Sequence, residues 1–200
     1  MFIFENPCSN SYSEDPIKPT RIIPRAHDAP VHVCKFDPTS TLMASGSADG
    51  IVKVWDVRRG YATHAFKGHG GVVSALAFRY LNDTSSVVPT EPSLHLITGS
   101  VDTRIRIFDL SPSASRTGSS KAVAVLEGHM SVPRGLDVSE DGKTLISGGR
   151  DAVVLVWDLT SVCNTASSTK KKAVPVLAKT ITVLERVEAV SFISGNIGSS

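Results

Sequence analysis

Very little in this sequence suits a metalloprotein, a disulfide scaffold or a membrane span. Its 200 residues include three cysteines, Cys8, Cys34 and Cys163. They are far apart and odd in number, and none forms a C-x-x-C pair or stands at metal-ligand spacing from a histidine. They predict ordinary thiols in a reducing compartment, with no metal site and no disulfide. An excess of one charge is also missing. The 21 Lys and Arg face 19 Asp and Glu, and a net +2 argues neither for nor against nucleic acid. No stretch approaches the ~20 apolar residues of a spanning helix. The apolar start Met1-Phe2-Ile3-Phe4 stops at Glu5 without a basic flank, unlike a secretory signal. Helical periodicity is nearly absent. The expectation is a soluble, intracellular, folded chain, in keeping with 41% apolar and 20% charged residues.

What the sequence does contain is a succession of short runs rich in Val, Ile, Leu and Phe. Clusters of Gly, Ser, Asp and Pro separate them, a pattern that predicts many short strands. Four such runs are Val31 to Phe36, Leu42 to Ser45, Ile51 to Trp55 and Tyr61 to Phe66. Four more are Val72 to Phe78, Leu94 to Thr98, Arg104 to Phe108 and Ala122 to Leu126. A third set is Pro133 to Val138, Thr144 to Ser147, Val153 to Trp157 and about Val176 to Val183. Pro133 opens a first strand, at a sheet edge where a missing N–H is tolerable. Long polar loops interrupt the pattern at 82–93, 111–120 and 161–172.

A recurring residue set keeps step with these runs. Asp49, Ser45 and His27 precede Trp55 by six, ten and 28 residues, and Asp151, Ser147 and His129 precede Trp157 by the same offsets. A middle copy reads His69, Thr98, Asp102 and Phe108, with an 11-residue insertion between His69 and Thr98. A period near 50 residues with fixed internal offsets indicates a repeat architecture. The units fall at 25–66, 67–126 and 127–183. Residues 1–24 read as the third and fourth strands of a preceding unit. Residues 184–200 read as the start of a following one, with Val187 to Phe192 repeating the first-strand pattern. Val183 stands where that last unit would have its histidine.

The text "AH…SGSADGIVKVWD", "GH…TGSVDTRIRIFD" and "GH…SGGRDAVVLVWD" resembles the WD repeat, the blade of a β-propeller. The resemblance covers residues 20 to 193. It implies an all-β fold, a partial WD-repeat β-propeller with three full four-stranded blades and partial blades at both ends. Because propellers have 4 to 8 blades, the sequence is expected to be a fragment of a longer protein. A finer likeness lies in FDPTSTL, in VWDVRR followed by Tyr61, Thr63, His64 and Phe66, and in SGGRD. These resemble the transducin-beta-like WD-repeat family, subunits of the UTP-B subcomplex of the small-subunit processome. Members of that family carry two tandem propellers and a C-terminal helical domain.

Histidine, serine and aspartate together also invite a catalytic-triad reading. Three copies, each with an aromatic partner, fit a buried hydrogen-bond chain better. In a WD blade the tryptophan N–H donates to the Ser/Thr hydroxyl, the hydroxyl donates to the imidazole, and the imidazole reaches the turn aspartate. In the second copy Phe108 has no N–H, so Thr98 loses a donor and a weaker network is expected. No catalytic residue, metal or cofactor is assigned.

The resemblance further implies that the residue five after each histidine faces partners, namely His32, Ser74 and Arg134. So does the residue before each turn aspartate, namely Ala48, Val101 and Arg150. Arg134 and Arg150 form a candidate spot for a phosphate or an acidic side chain, or are simply hydrated surface arginines. Lys170, Lys171 and Lys172 are a candidate for RNA contact or nuclear import, or a solvated loop. No RNA-binding motif is present.

The function expected is a non-enzymatic scaffold of the small-subunit processome in the nucleus and nucleolus, acting in pre-rRNA processing and small ribosomal subunit biogenesis. Its expected partners are other WD-repeat and helical subunits of a large pre-ribosomal complex, with non-specific pre-rRNA or snoRNA contact, and neither membrane nor small-molecule substrate. The alternative is a substrate adaptor of a ubiquitin ligase or a signalling scaffold.

Overall fold

The computed structural model describes residues 2–3, 19, 21–81, 93–111, 121–163 and 175–193. Among these the regular structure is β-strand, with one 3-10 turn at Thr160–Cys163 and no α-helix. Strands β1 (Phe2–Ile3) and β2 (Arg21–Ile22) form a two-stranded antiparallel ladder. The first blade orders β3 (Val31–Phe36), β4 (Leu42–Ser47), β5 (Val52–Asp56) and β6 (Ala62–Phe66). The second orders β7 (Val73–Leu81), β8 (Ser93–Ser100), β9 (Ile105–Asp109) and β10 (Ala124–Leu126). The third orders β11 (Pro133–Val138), β12 (Thr144–Gly149), β13 (Val153–Asp158) and β14 (Val176–Thr182). All three are antiparallel meanders, as the spacing predicts. Most of the three long loops, and Lys170, Lys171 and Lys172, lie outside the described residues.

The core sits between blades. Val52, Val54 and Phe66 of the first blade pack against Val73, Leu76, Leu96 and Phe108 of the second, with Phe66 stacked on Phe108 at 4.4 Å between centroids. Ile97, Ile105, Ile107 and Leu126 of the second blade meet Leu136, Leu145, Leu155 and Trp157 of the third. A sheet covered on both faces needs apolar residues on both, which is why β9 reads as Ile105, Ile107 and Phe108 with little alternation. Close approach depends on glycine in every blade. A methyl group at Gly46 would overlap Val73, one at Gly99 would press on Pro133, and one at Gly148 would overlap Val187.

That last contact explains a difference from the expectation for Val187 to Phe192. Residues 183–193 carry no strand, because β12 and β13 already take each other as partners and the segment finds no free ladder edge beside them. It nevertheless occupies the place of a next blade's first strand. Val187 lies on Gly148 as Val73 lies on Gly46, and the Phe192 N–H donates to Asp137 at 2.6 Å. Apolar side chains remain exposed at both ends of the array, Phe36 on the first blade and Leu177 and Ile181 on the third.

The insertion in the second blade lengthens β7 and β8 and produces contacts that the sequence spacing does not suggest. Strand alternation sends Arg79 and Tyr80 to opposite sides. Arg79, fully buried, donates through Nε to the Gly142 carbonyl at 2.6 Å and through Nη2 to the Leu159 carbonyl at 2.9 Å, both in the third blade. Tyr80 donates its hydroxyl to Asp37 of the first blade at 2.6 Å. Burial and that carboxylate raise the Tyr80 hydroxyl pKa to about 12. One hairpin therefore braces both neighbours.

The turn after each blade's second strand requires a left-handed residue just past its aspartate. The first blade uses Gly50 (φ 73°), whereas the second and third use Thr103 (φ 67°) and Ala152 (φ 58°). A β-branched residue in that region is strained. Thr103→Gly is expected to raise stability by about 0.5–1 kcal/mol. Gly50→Ala is expected to lower it by at least as much, since the added methyl meets the His69 carbonyl at 2.9 Å. Thermal denaturation of the two variants checks both signs.

Candidate functional site

In the first and third blades the recurring residues meet in one buried chain. Trp55 Nε1–H donates to Ser45 Oγ at 2.8 Å, Ser45 Oγ lies 2.7 Å from His27 Nε2, and His27 Nδ1 lies 3.2 Å from Asp49 Oδ2. In the third blade the same contacts are 2.9, 2.8 and 2.9 Å for Trp157–Ser147, Ser147–His129 and His129–Asp151. An indole can only donate, and a carboxylate can only accept. The protons are therefore ordered, from tryptophan to serine, serine to Nε2, and Nδ1–H to aspartate. Ser45 and Ser147 are fully buried, and each hydroxyl is engaged on both sides. The aspartates also accept backbone N–H groups, from Ile51 in the first blade and from Met130 in the third. Burial would raise their carboxyl groups. The hydrogen bonds outweigh it and hold Asp49 and Asp151 below the usual carboxylate range.

The second blade departs from the expected weakening. His69 Nε2 and Thr98 Oγ1 are 2.6 Å apart, but His69 Nδ1 and Asp102 Oδ2 are 3.6 Å apart. Arg106 stands between them, its Nη1 at 2.6 Å from His69 Nδ1 and 2.8 Å from Asp102 Oδ2. A guanidinium has only donors, so Nδ1 must accept and the imidazole proton resides on Nε2. The direction of donation is then reversed. His69 donates to Thr98, whose hydroxyl is directed at the Arg106 carbonyl at 3.4 Å. Thr98 loses the indole but gains the imidazole N–H, so the expected deficit is met from the other side. Sequence reasoning passed over Arg106. Its signal was the cation two residues before the aromatic–aspartate pair in two of three copies, Lys53 and Arg106. Lys53 makes a simpler tie, donating to the Ala26 carbonyl at 2.7 Å.

The expected partner-facing residues come to one end of the blades. His32, Ser74 and Arg134 are each the extra residue of a β-bulge in the first strand. Bulges re-aim a side chain out of the ladder. Ser74 Oγ donates to the Pro133 carbonyl of the next blade at 2.6 Å. Ala48, Val101 and Arg150 sit beside them, held by matching backbone bonds to Pro30, Val72 and Val132. Arg134 and Arg150 thus share one end of the third blade. Among the described residues no group of three or more His, Cys, Asp or Glu could hold a metal ion. Cys34 is a free, exposed cysteine.

Two stability tests follow from these contacts. Arg106→Leu leaves His69 and Asp102 without their shared donor and is expected to cost about 1–3 kcal/mol. Lys53→Leu, which frees one carbonyl, is expected to cost less; urea denaturation ranks the two. Burial, reinforced by Arg106, lowers the His69 pKa from 6.5 to about 4, and burial, reinforced by Arg79, does the same for His95. Their folded values lie below their unfolded ones, so the unfolded chain binds protons first. Stability is complete above about pH 6.5 and is lost as pH falls toward 4. A His95→Gln variant is expected to flatten that fall in melting temperature between pH 7 and 4.

Comparison with known proteins agrees with this geometry. A family model described as WD domain, G-beta repeat matches residues 17–56, 60–109 and 120–158, more than half of the chain. Transducin beta-like protein 3 of Bos taurus is 39% identical over 170 residues, 85% of this chain and 18% of that protein. U3 small nucleolar RNA-associated protein 13 of Saccharomyces cerevisiae is 34% identical over 181 residues, 85% of this chain and 19% of that protein. Nuclear distribution protein nudF of Aspergillus niger is 36% identical over 128 residues, 64% of this chain and 25% of that protein. The chain spans less than a fifth of the length of the first two relatives. Three matched stretches, each ending at an aromatic–aspartate pair on the third strand of a four-stranded blade, place the chain in the WD-repeat family.

Proposed function

We propose that this chain is part of a non-enzymatic scaffold of the small-subunit processome, acting in pre-rRNA processing and small ribosomal subunit biogenesis in the nucleolus. The observation that carries the reading is the likeness, over 85% of the chain, to a protein named for its association with U3 small nucleolar RNA. Transducin beta-like protein 3 is similar over the same share. The geometry supports the non-enzymatic part. The His–Ser–Asp sets are latches, because both serines are buried and each hydroxyl already has a donor and an acceptor. Rigid blades then present His32, Ser74, Arg134 and Arg150 to protein partners, other WD-repeat and helical subunits. Lys170, Lys171 and Lys172 supply non-specific contact to pre-rRNA or snoRNA phosphates, or an import signal.

The test is affinity purification of the full-length protein from growing cells. U3 small nucleolar RNA and pre-ribosomal proteins are expected to co-purify. Recovery of cullin-type ligase subunits without U3 RNA would overturn the reading in favour of a ligase adaptor.

A further inference from the structure

The residue five after each histidine is the bulged residue of its first strand, and in the second and third blades it reaches toward the next unit. The fourth such position follows Val183 and is Glu188. Around the array the series reads His32, Ser74, Arg134 and Glu188, so an arginine of the third blade faces a carboxylate on the segment that lies where the next blade begins. Arg134 Nε and Glu188 Oε2 are 3.7 Å apart. That is an ion-pair distance, but beyond the reach of a hydrogen bond. Arg134 Nε is shut off from solvent and has no hydrogen-bond partner among the described residues. Glu188 is shared, with Arg186 Nε at 3.3 Å from its other oxygen.

These facts describe an incompletely satisfied guanidinium beside an easily moved carboxylate. A buried N–H without an acceptor is costly, and a bidentate carboxylate is what the guanidinium fork fits best. Glu188 and Arg186 are 52% and 67% exposed at their side chains. An ion pair so exposed holds little free energy, and Glu188 can swing away toward Arg186. Arg150, exposed at the same end of the third blade, adds a second cation.

We propose that Arg134, supported by Arg150, anchors an acidic side chain of a protein partner, and that Glu188 is a built-in competitor for that anchor. The inference deepens the scaffold reading and rests on it. The occupant is an acidic peptide and not a nucleic-acid backbone. Glu185 and Glu188 lie within a few residues of Arg186 and would repel a run of phosphates, whereas one carboxylate can replace another.

The experiment is fluorescence anisotropy of full-length protein with a labelled glutamate-rich peptide, in parallel with a phosphoserine peptide and a labelled single-stranded RNA. Arg134→Gln is expected to weaken the glutamate peptide about tenfold, equivalent to about 1.4 kcal/mol. Glu188→Gln is expected to tighten it severalfold, an effect that a merely structural salt bridge would not produce. Tighter binding of the phosphoserine peptide, with the same response to both variants, also supports the anchor and assigns its natural ligand as a phosphate group on a peptide. Unchanged binding in both variants, or preference for RNA that survives Arg134→Gln, would overturn the proposal. If peptide binding fails while U3 RNA still co-purifies, this inference falls and the scaffold reading stands.

Discussion

Each blade of this chain is a sheet that is apolar on both faces, and the rest of the structure follows from the need to cover them. Burial at roughly 25 cal/mol per Å² favours stacking blade on blade. Stacking four-stranded sheets closely requires a place where backbones can meet. Gly46, Gly99 and Gly148 supply it, each one residue past the Ser or Thr of its blade and each against the start of the following unit, at Val73, Pro133 and Val187. The two larger clusters, at the interfaces between blades, are therefore built from residues that lie far apart in sequence, and a smaller one, Ala26, Met43 and Trp55, lies within the first unit. Phe66 on Phe108 and Leu126 against the Trp157 cluster are the outer ends of two such interfaces.

Stacking alone leaves the long connections between blades unfixed, and the buried imidazoles address this. Each histidine lies on the connection before a first strand and bonds to the second strand; His27 and His129 also bond to the turn aspartate, whereas Arg106 bridges His69 to Asp102. In the first and third blades an indole starts the chain and a carboxylate ends it. In the second blade the indole is absent and the polarity runs the other way, with Arg106 as the charged donor. Both solutions leave the central hydroxyl with a donor and an acceptor, which is the condition a buried polar group must meet. The two bonds to that hydroxyl are preserved even though the residue types are not.

That distinction accounts for what could be read from the sequence. Strand positions were legible because turn residues bound the apolar runs, and the first-strand limits Val31–Phe36 and Pro133–Val138 stand as expected. The sets ending at Trp55 and Trp157 were legible because their offsets match. Arg106 was not, since a cation two residues before an aromatic on a strand reads as a solvated side chain until its neighbour His69 is known. Arg79 and Tyr80 were hidden for another reason. In the other blades a short turn aligns the first hairpin, with Asp37 and Ser139 accepting the Leu42 and Thr144 N–H groups, whereas the second blade carries its 11-residue insertion there. Without that alignment nothing in the spacing shows that β7 runs on to Leu81 and braces both neighbours. The Val187 segment failed as a strand for a topological reason: a first-strand pattern specifies a face, but a ladder also needs a partner.

The bulges connect this architecture to what the protein can present. A regular first strand would put alternate residues into the two inter-blade cores, leaving none free to point along the end of the sheet. An extra residue at the same position in every blade, at His32, Ser74 and Arg134, releases one side chain per blade while the core alternation resumes on either side. The bulged residue belongs to neither apolar cluster, so apolar packing does not fix its identity, although Ser74 bonds to the Pro133 carbonyl of the next blade. Histidine, serine and arginine therefore occupy equivalent sites with no common chemistry, although the residues around them (Val33, Ala75, Gly135) remain small or apolar. Conformity in the stacked positions and freedom in the bulged ones are two consequences of the same covering requirement. This gives a family of similar blades a surface that differs from one blade to the next.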